Sequence, residues 1–385
     1  MMNADLPTLE QPCLPSTMSP RRADIESKQL KIARLLADAN CEGLLLLEPA
    51  NFRWMTSGAS MRGAHHADEC PVLFVNPTQR WVLCSSTDTQ RLFDEELDSL
   101  GFQVKEWPWA GNREQFFAEL FAARKMACDR SFKDYTVVGT FLDQERRRLG
   151  RFEQERLREL GKLLVHALEA TARNLKPGDS EEEVAGHLAH RLLKRGAEPA
   201  ALQIAADDRP RSYRRPGYTA AAIGTRCLLQ ATVSKFGLFA TASRTVSFGG
   251  VEDPVKQEIE TACRLQAVWQ AALKNGDRLA ALFDTVRTVL KNTPYEHEFR
   301  LSTPGWWTGR LPVEASFLPA IQDKFVEGQA VVWQSRIGGI AVCDTFLLEE
   351  NGFIPITTVE DWPVRRYVIQ GARFERPDLL IRNLG

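Results

Sequence analysis

Apolar residues along this chain recur with two different periods, and those periods predict its elements. Between residues 25 and 39 they keep helical spacing through Ile32, Leu35, Leu36 and Ala39, and segment 40–43 (Asn-Cys-Glu-Gly) supplies a stop. Continuous apolar runs at 44–47, 72–75, 81–84 and 136–141 read as buried strands, with amphipathic segments at 89–97 and 112–125 between them. This alternation predicts an α/β domain over residues 1–147, entered through a proline-rich, loosely held arm at 1–20. Next comes the longest helical pattern, 153–175, with Leu157, Leu160, Leu164, Leu168 and Ala172 on one face. Residues 176–179 end it, and Ser180 with Glu183 forms the capping box of a second helix. Strand runs at 220–223, 227–233, 238–241, 331–333 and 345–348, with helices at 254–274 and 278–291, make residues 148–385 α+β in character.

Composition excludes more than it assigns. With 44% hydrophobic and 26% charged residues in 385, the chain is globular and long enough for two cores. A formal net charge of −1 argues against a nucleic-acid partner, although basic runs occur at 146–148 and 209–215. No stretch approaches the roughly 18 apolar residues of a membrane span, and no signal-peptide core stands near Met1, so a cytoplasmic protein without a membrane partner is expected. The eight cysteines form no C-x-x-C pair and read as reduced thiols. P-loop, dinucleotide and Gly-x-Ser-x-Gly signatures are absent.

Five motifs, in order, carry a resemblance that covers about residues 22–380. They are the segment 51–58 (NFRWMTSG), similar to a strand-to-loop motif, the helix linker 175–183, the stretch 236–249 (FGLFATASRTVSFG), the turn 305–309 (GWWTG) followed by Glu314, and the segment 331–356. Together they are similar to the pita-bread family of creatinase, prolidase and aminopeptidase P. The resemblance implies a non-catalytic α/β N-terminal domain, a pita-bread C-terminal domain of catalytic type and a homodimer.

In that family's peptidases two aspartates, a histidine and two glutamates hold two divalent ions. Carboxylates serve there because hard dications favour anionic oxygen. Carried onto this chain, the aspartate positions fall on Gln230 and Thr241, 11 residues apart, the histidine on Trp306, and the glutamates on Gln334 and Cys343. None is a carboxylate, and a one-residue shift from Cys343 to Asp344 restores only one. The resemblance therefore implies no metal and no cofactor. Creatinase works without metal through a histidine, but its position falls on Tyr213, and a related Arg-His-Pro segment reads Arg214-Arg215-Pro216 here.

Three readings follow. The first is a metal-free binder of a small peptide or amino-acid-like ligand, with no metallopeptidase activity. The second is a creatinase-like hydrolase of a small C–N bond, with Glu314 as base and Tyr213 or a partner's histidine assisting. The third, ranked last, is a metallopeptidase with relocated ligands. Tyr213 with Arg211, Arg214 and Arg215 suits a carboxylate ligand, with a surface charge run as the plainer alternative. Trp306 is expected to fill the vacated cavity, with a stacking role as the alternative. Cys343 is expected to be inert for want of a base, and His187 with His190 to be a polar helix face. His65 and His66 are candidates to reach a partner subunit's pocket.

Overall fold

The computed structural model describes residues 18–61, 66, 69–358 and 361–383. Helix α1 (Pro20–Asp38) begins at Ser19, whose side chain accepts from the Arg22 amide, with Pro20 in the first turn. A six-stranded sheet follows, made of β1 (Gly43–Leu46), β2 (Val72–Val75), β3 (Arg80–Ser85), β4 (Gln103–Trp107), β5 (Met126–Cys128) and β6 (Thr136–Val137). Its order is β4-β3-β2-β1-β5-β6, antiparallel through β1, β2 and β3 and parallel elsewhere. Ile25, Ile32 and Leu36 of α1 pack with Leu44, Leu46 and Leu73 on one face. Helices α3 (Thr89–Arg91), which runs on into a π turn, and α4 (Arg113–Leu120) complete the layers, with Phe117 of α4 on the other face beside Leu45 and Phe74.

Two expectations fail here. Residues 51–58, read as a strand-to-loop motif, instead contain most of helix α2 (Pro49–Met55), which Pro49 starts from an extended Glu48. The run 136–141 is a strand for only two residues, because helix α5 (Gly139–Arg146) begins at Gly139. Gly139 lies so close to the Asp129 carbonyl that a Cβ there would sit 2.4 Å from its oxygen.

The second half packs two sheets face to face with helices outside. Helix α6 (Arg151–Asn174) buries the predicted leucine stripe, each leucine contributing about 2 kcal/mol, and helix α7 (Glu181–Leu193) starts at the predicted capping box. Both pack in one core with the sheet of β7 (Glu198–Ala206), β8 (Arg226–Lys235) and β9 (Leu238–Phe248). Helix α8 (Arg209–Ser212) opens the loop between β7 and β8, and the expected strand at 220–223 reduces to a single bridge of Ala222 with Ser180. Helices α9 (Asp253–Ala272) and α10 (Leu279–Leu290) pack on a sheet ordered β11-β10-β12-β13-β14. Its strands are β10 (Gly305–Thr308), β11 (Ala315–Ser316), β12 (Ala330–Ile337), β13 (Ile340–Glu349) and β14 (Gly352–Pro355). A terminal hairpin, β15 (Val364–Ile369) with β16 (Ala372–Pro377), leads to β17 (Leu380–Arg382), which adds parallel to β9.

Candidate functional site

Strand alternation decides what lies between the two sheets. On β12 the odd positions Val331, Trp333 and Ile337 join the core under α9 and α10, which turns Val332, Gln334 and Arg336 toward β9 and β8. Cys343 and Thr345 stand directly opposite Gln334 and Val332 on β13 and share that face. On β9, Ala240 and Ala242 belong to the core with α6, so Thr241 and Ser243 look inward, as does Gln230 across from Ser243. The layer between the sheets is therefore polar.

Hydrogen bonds knit this layer together. Thr345 Oγ1 accepts from the Thr241 amide at 2.8 Å and donates to the Thr241 carbonyl at 2.8 Å. Ser243 Oγ accepts from the Cys343 amide and donates to the Ala341 carbonyl, at 2.8 and 2.9 Å. Thr241 Oγ1 bonds Thr232 Oγ1 at 2.9 Å, and Gln230 Nε2 donates to Gln334 Oε1 at 3.5 Å. Arg336 Nη2 donates to the side-chain oxygens of Gln203 and Gln230, at 2.8 and 3.1 Å. Four of the five expected positions thus meet, and Trp306 joins their sheet through its pairing with Val332.

Arg336 and Gln203 were missed by sequence reasoning, although the signal was available. Arg336 lies two residues after Gln334 on a strand and must share its face, and Gln203 pairs with Gln230. Arg336 is only 3% exposed, and burial, aided by Arg214 and Arg215 and opposed by Cys343, lowers its pKa to about 10. Burial also pushes the Cys343 thiol well above its ordinary range, so it stays protonated and unreactive. Asp344 points elsewhere, held by Arg244 at 3.1 Å and by the Thr357 hydroxyl at 2.8 Å.

The two tryptophans separate. Trp307 is fully buried on the helix side and donates from Nε1 to Gln329 Oε1 at 3.0 Å. Trp306 is half-buried, and its Nε1 is buried with no acceptor among the described residues.

The remaining candidates are tied up by internal partners. Glu314 is no free base: Oε2 accepts from Arg146 Nε and Nη2 at 3.0 and 2.8 Å, and Oε1 from the Arg310 and Leu311 amides at 2.8 and 3.0 Å. Every acceptor direction of the carboxylate is used, and Arg146 carries the link on to Asn51 of α2. Arg211 and Arg214 bind carboxylates as their chemistry suggests, but those of Glu258 at 2.8 Å and Glu298 at 2.7 Å. The same acids accept from the Gly339 and Gly338 amides, so the pairs fasten the 207–215 segment to the β12–β13 turn. Gly338 has φ 56°, and a Cβ there would lie 2.2 Å from the Glu258 carboxylate, so the turn requires glycine. Tyr213 is exposed, beneath the Arg209 guanidinium 5.8 Å from its ring centroid. His187 and His190 are both exposed along α7, His66 is exposed, and His65 lies outside the described residues. Among the described residues no three histidine, cysteine, aspartate or glutamate side chains converge as metal ligands. None of the described helices is long and apolar enough to cross a membrane.

Known proteins place this architecture. The prolidase of Pyrococcus horikoshii OT3 superposes with a TM-score of 0.75 at 17% identity, over 87% of this chain and 99% of that one. The Xaa-Pro dipeptidase of Bacillus anthracis gives 0.73 at 16%, over 93% and 100%. The X-Pro aminopeptidase of Thermotoga maritima MSB8 gives 0.73 at 15%, over 92% and 100%. At such identities the likeness shows the shared fold, an N-terminal domain followed by a pita-bread domain. No curated protein matches the sequence. The model of metallopeptidase family M24 matches residues 155–375, more than half of the chain, and the chain belongs to that family.

Proposed function

We propose that this protein binds a small peptide or amino-acid-like ligand between its two sheets and does so without the metal-dependent peptidase chemistry of its family. One observation carries the reading: a buried guanidinium, Arg336, bonds directly to the glutamine at the first expected ligand position. The donor chemistry supports it. The five positions offer two amides, a hydroxyl bonded to Thr232, an indole and a protonated thiol. Such a set does not fit two dications, which call for anionic oxygen, and a neighbouring cation repels them. No catalytic step is therefore derived through metal. The creatinase-like alternative loses its base, because Glu314 is bonded at both oxygens. A homodimer and a cytoplasmic location remain part of this reading on the family resemblance and the sequence.

An Xaa-Pro dipeptide hydrolysis assay with added Mn²⁺ or Co²⁺ tests it, a related peptidase serving as the positive control. No metal-dependent turnover is expected. Turnover that rises with added metal and vanishes with chelator would refute the reading.

A further inference from the structure

We propose that Arg336 anchors a carboxylate subsite, in which the carboxylate of an amino acid or short peptide supplies the negative charge this chain withholds. The inference rests on the metal-free reading above and names the group recognised.

Arg336 is set apart by how it is left unpaired. Arg146, Arg244 and Arg310 are buried to a similar degree, and each meets at least one carboxylate. Arg376 meets none among the described residues, but its guanidinium lies 5.0 Å from the Phe346 ring centroid, whose negative face answers the charge. Arg336 has no ion pair and no aromatic face among the described residues, only the neutral oxygens of Gln203 and Gln230. Its Nε–H is buried and finds no acceptor there. A buried donor without an acceptor and a buried charge without a counter-charge both carry a free-energy cost, which a bound anion removes.

The surroundings select the anion. Arg215, exposed and without an ion pair among the described residues, adds positive potential close enough to bear on Arg336. Gln203, Gln334 and Trp306 are half-buried, which leaves the layer a solvent-facing side. The unpartnered Nε–H offers a carboxylate oxygen a charge-assisted donor while Nη2 stays on Gln203 and Gln230. The amide of Gln334 and the unpartnered indole N–H of Trp306 lie on the same sheet face as further donors.

The test is thermal denaturation and calorimetric titration of the full chain with L-alanyl-L-alanine, its C-terminal amide and inorganic phosphate. The dipeptide is expected to raise Tm and bind, and the amide to do neither. Arg336→Met is expected to abolish the shift, and Arg336→Lys, which keeps the charge but loses the fork, to weaken binding by about 10-fold or more. Circular dichroism checks that the variants fold; if Arg336→Met does not, the dipeptide–amide contrast and Arg336→Lys decide. Equal binding of dipeptide and amide, binding unchanged in the variants, a response to phosphate alone, or no response to any probe each overturns the carboxylate subsite. Metal content of the same sample separates the two failures. Near-stoichiometric metal defeats the metal-free reading, whereas metal-free protein that ignores the dipeptide defeats the subsite alone.

Discussion

Arg310 and Arg336 are both buried, and the chain surrounds them differently. Arg310 sits where the first half of the chain meets the second, with Nε and Nη2 on Glu153 Oε1 at 3.1 and 2.5 Å and Nη1 on the Phe236 carbonyl at 2.8 Å. Lys28 joins the same oxygen at 2.8 Å and also reaches Asp24, the Trp54 carbonyl and Ser57. Two cations therefore meet two carboxylates. Around Arg336, Gln203 and Gln230 supply oxygens but no charge. Desolvation penalises both sites, and only the first recovers the cost internally. The fold balances the first charge itself and leaves the second to the proposed ligand.

The sharpest way to break this comparison is to unbalance the balanced site. Glu153→Gln leaves Lys28 and Arg310 buried without their shared acid, and a loss of about 3–5 kcal/mol in urea denaturation is expected. The same acid sets a pH dependence. Burial alone would raise its pKa, but Lys28 and Arg310 overcome that and hold it at about 2. A depressed carboxylate contributes stability that is fully present above its unfolded pKa of about 4.3 and is lost as pH falls through the folded value. The wild type should thus lose stability between about pH 4 and pH 2, and Glu153→Gln should flatten that part of the curve.

Glu314→Gln, at the second link between the halves, should cost about 2–3 kcal/mol while leaving ligand-induced stabilisation intact. Loss of ligand response in that variant, with the fold preserved, would restore Glu314 to the pocket. Arg336→Met should do the reverse in the free protein. With no acid left behind, stability should hold or rise by up to about 2 kcal/mol. A loss above about 3 kcal/mol would mean that Arg336 is a structural cation like Arg310. The smallest effect is expected at Cys343. Iodoacetamide at mildly alkaline pH should label half-buried Cys41 and Cys70 and leave Cys343 unmodified until the protein unfolds.

How far the sequence reveals this molecule depends on what each residue must satisfy. The leucine stripe and capping box gave α6 and α7 because period and cap are local properties. Strand β7, with sequence EPAALQIAA, went unseen because its proline and alanines carry little strand preference, and only pairing with β8 makes it one. The polar hairpin β15–β16 was missed because mostly half-buried or exposed strands lack a continuous apolar run. At the site, alignment on family motifs located Gln230, Thr241, Gln334 and Cys343, whose proximity then followed from strand register. The identity of partners was not legible. Nothing near Glu314 in sequence points to Arg146, 168 positions away, or links Arg211 to Glu258. Those pairings depend on tertiary packing, and they separate a free catalytic acid from a structural one.

The most direct test of the central claim is elemental analysis of protein purified without chelator or affinity-tag metal and then dialysed. The account predicts less than about a tenth of an equivalent of Mn, Fe, Co or Zn per chain, because neutral amides beside a buried guanidinium cannot retain dications. Near-stoichiometric metal surviving dialysis would contradict it.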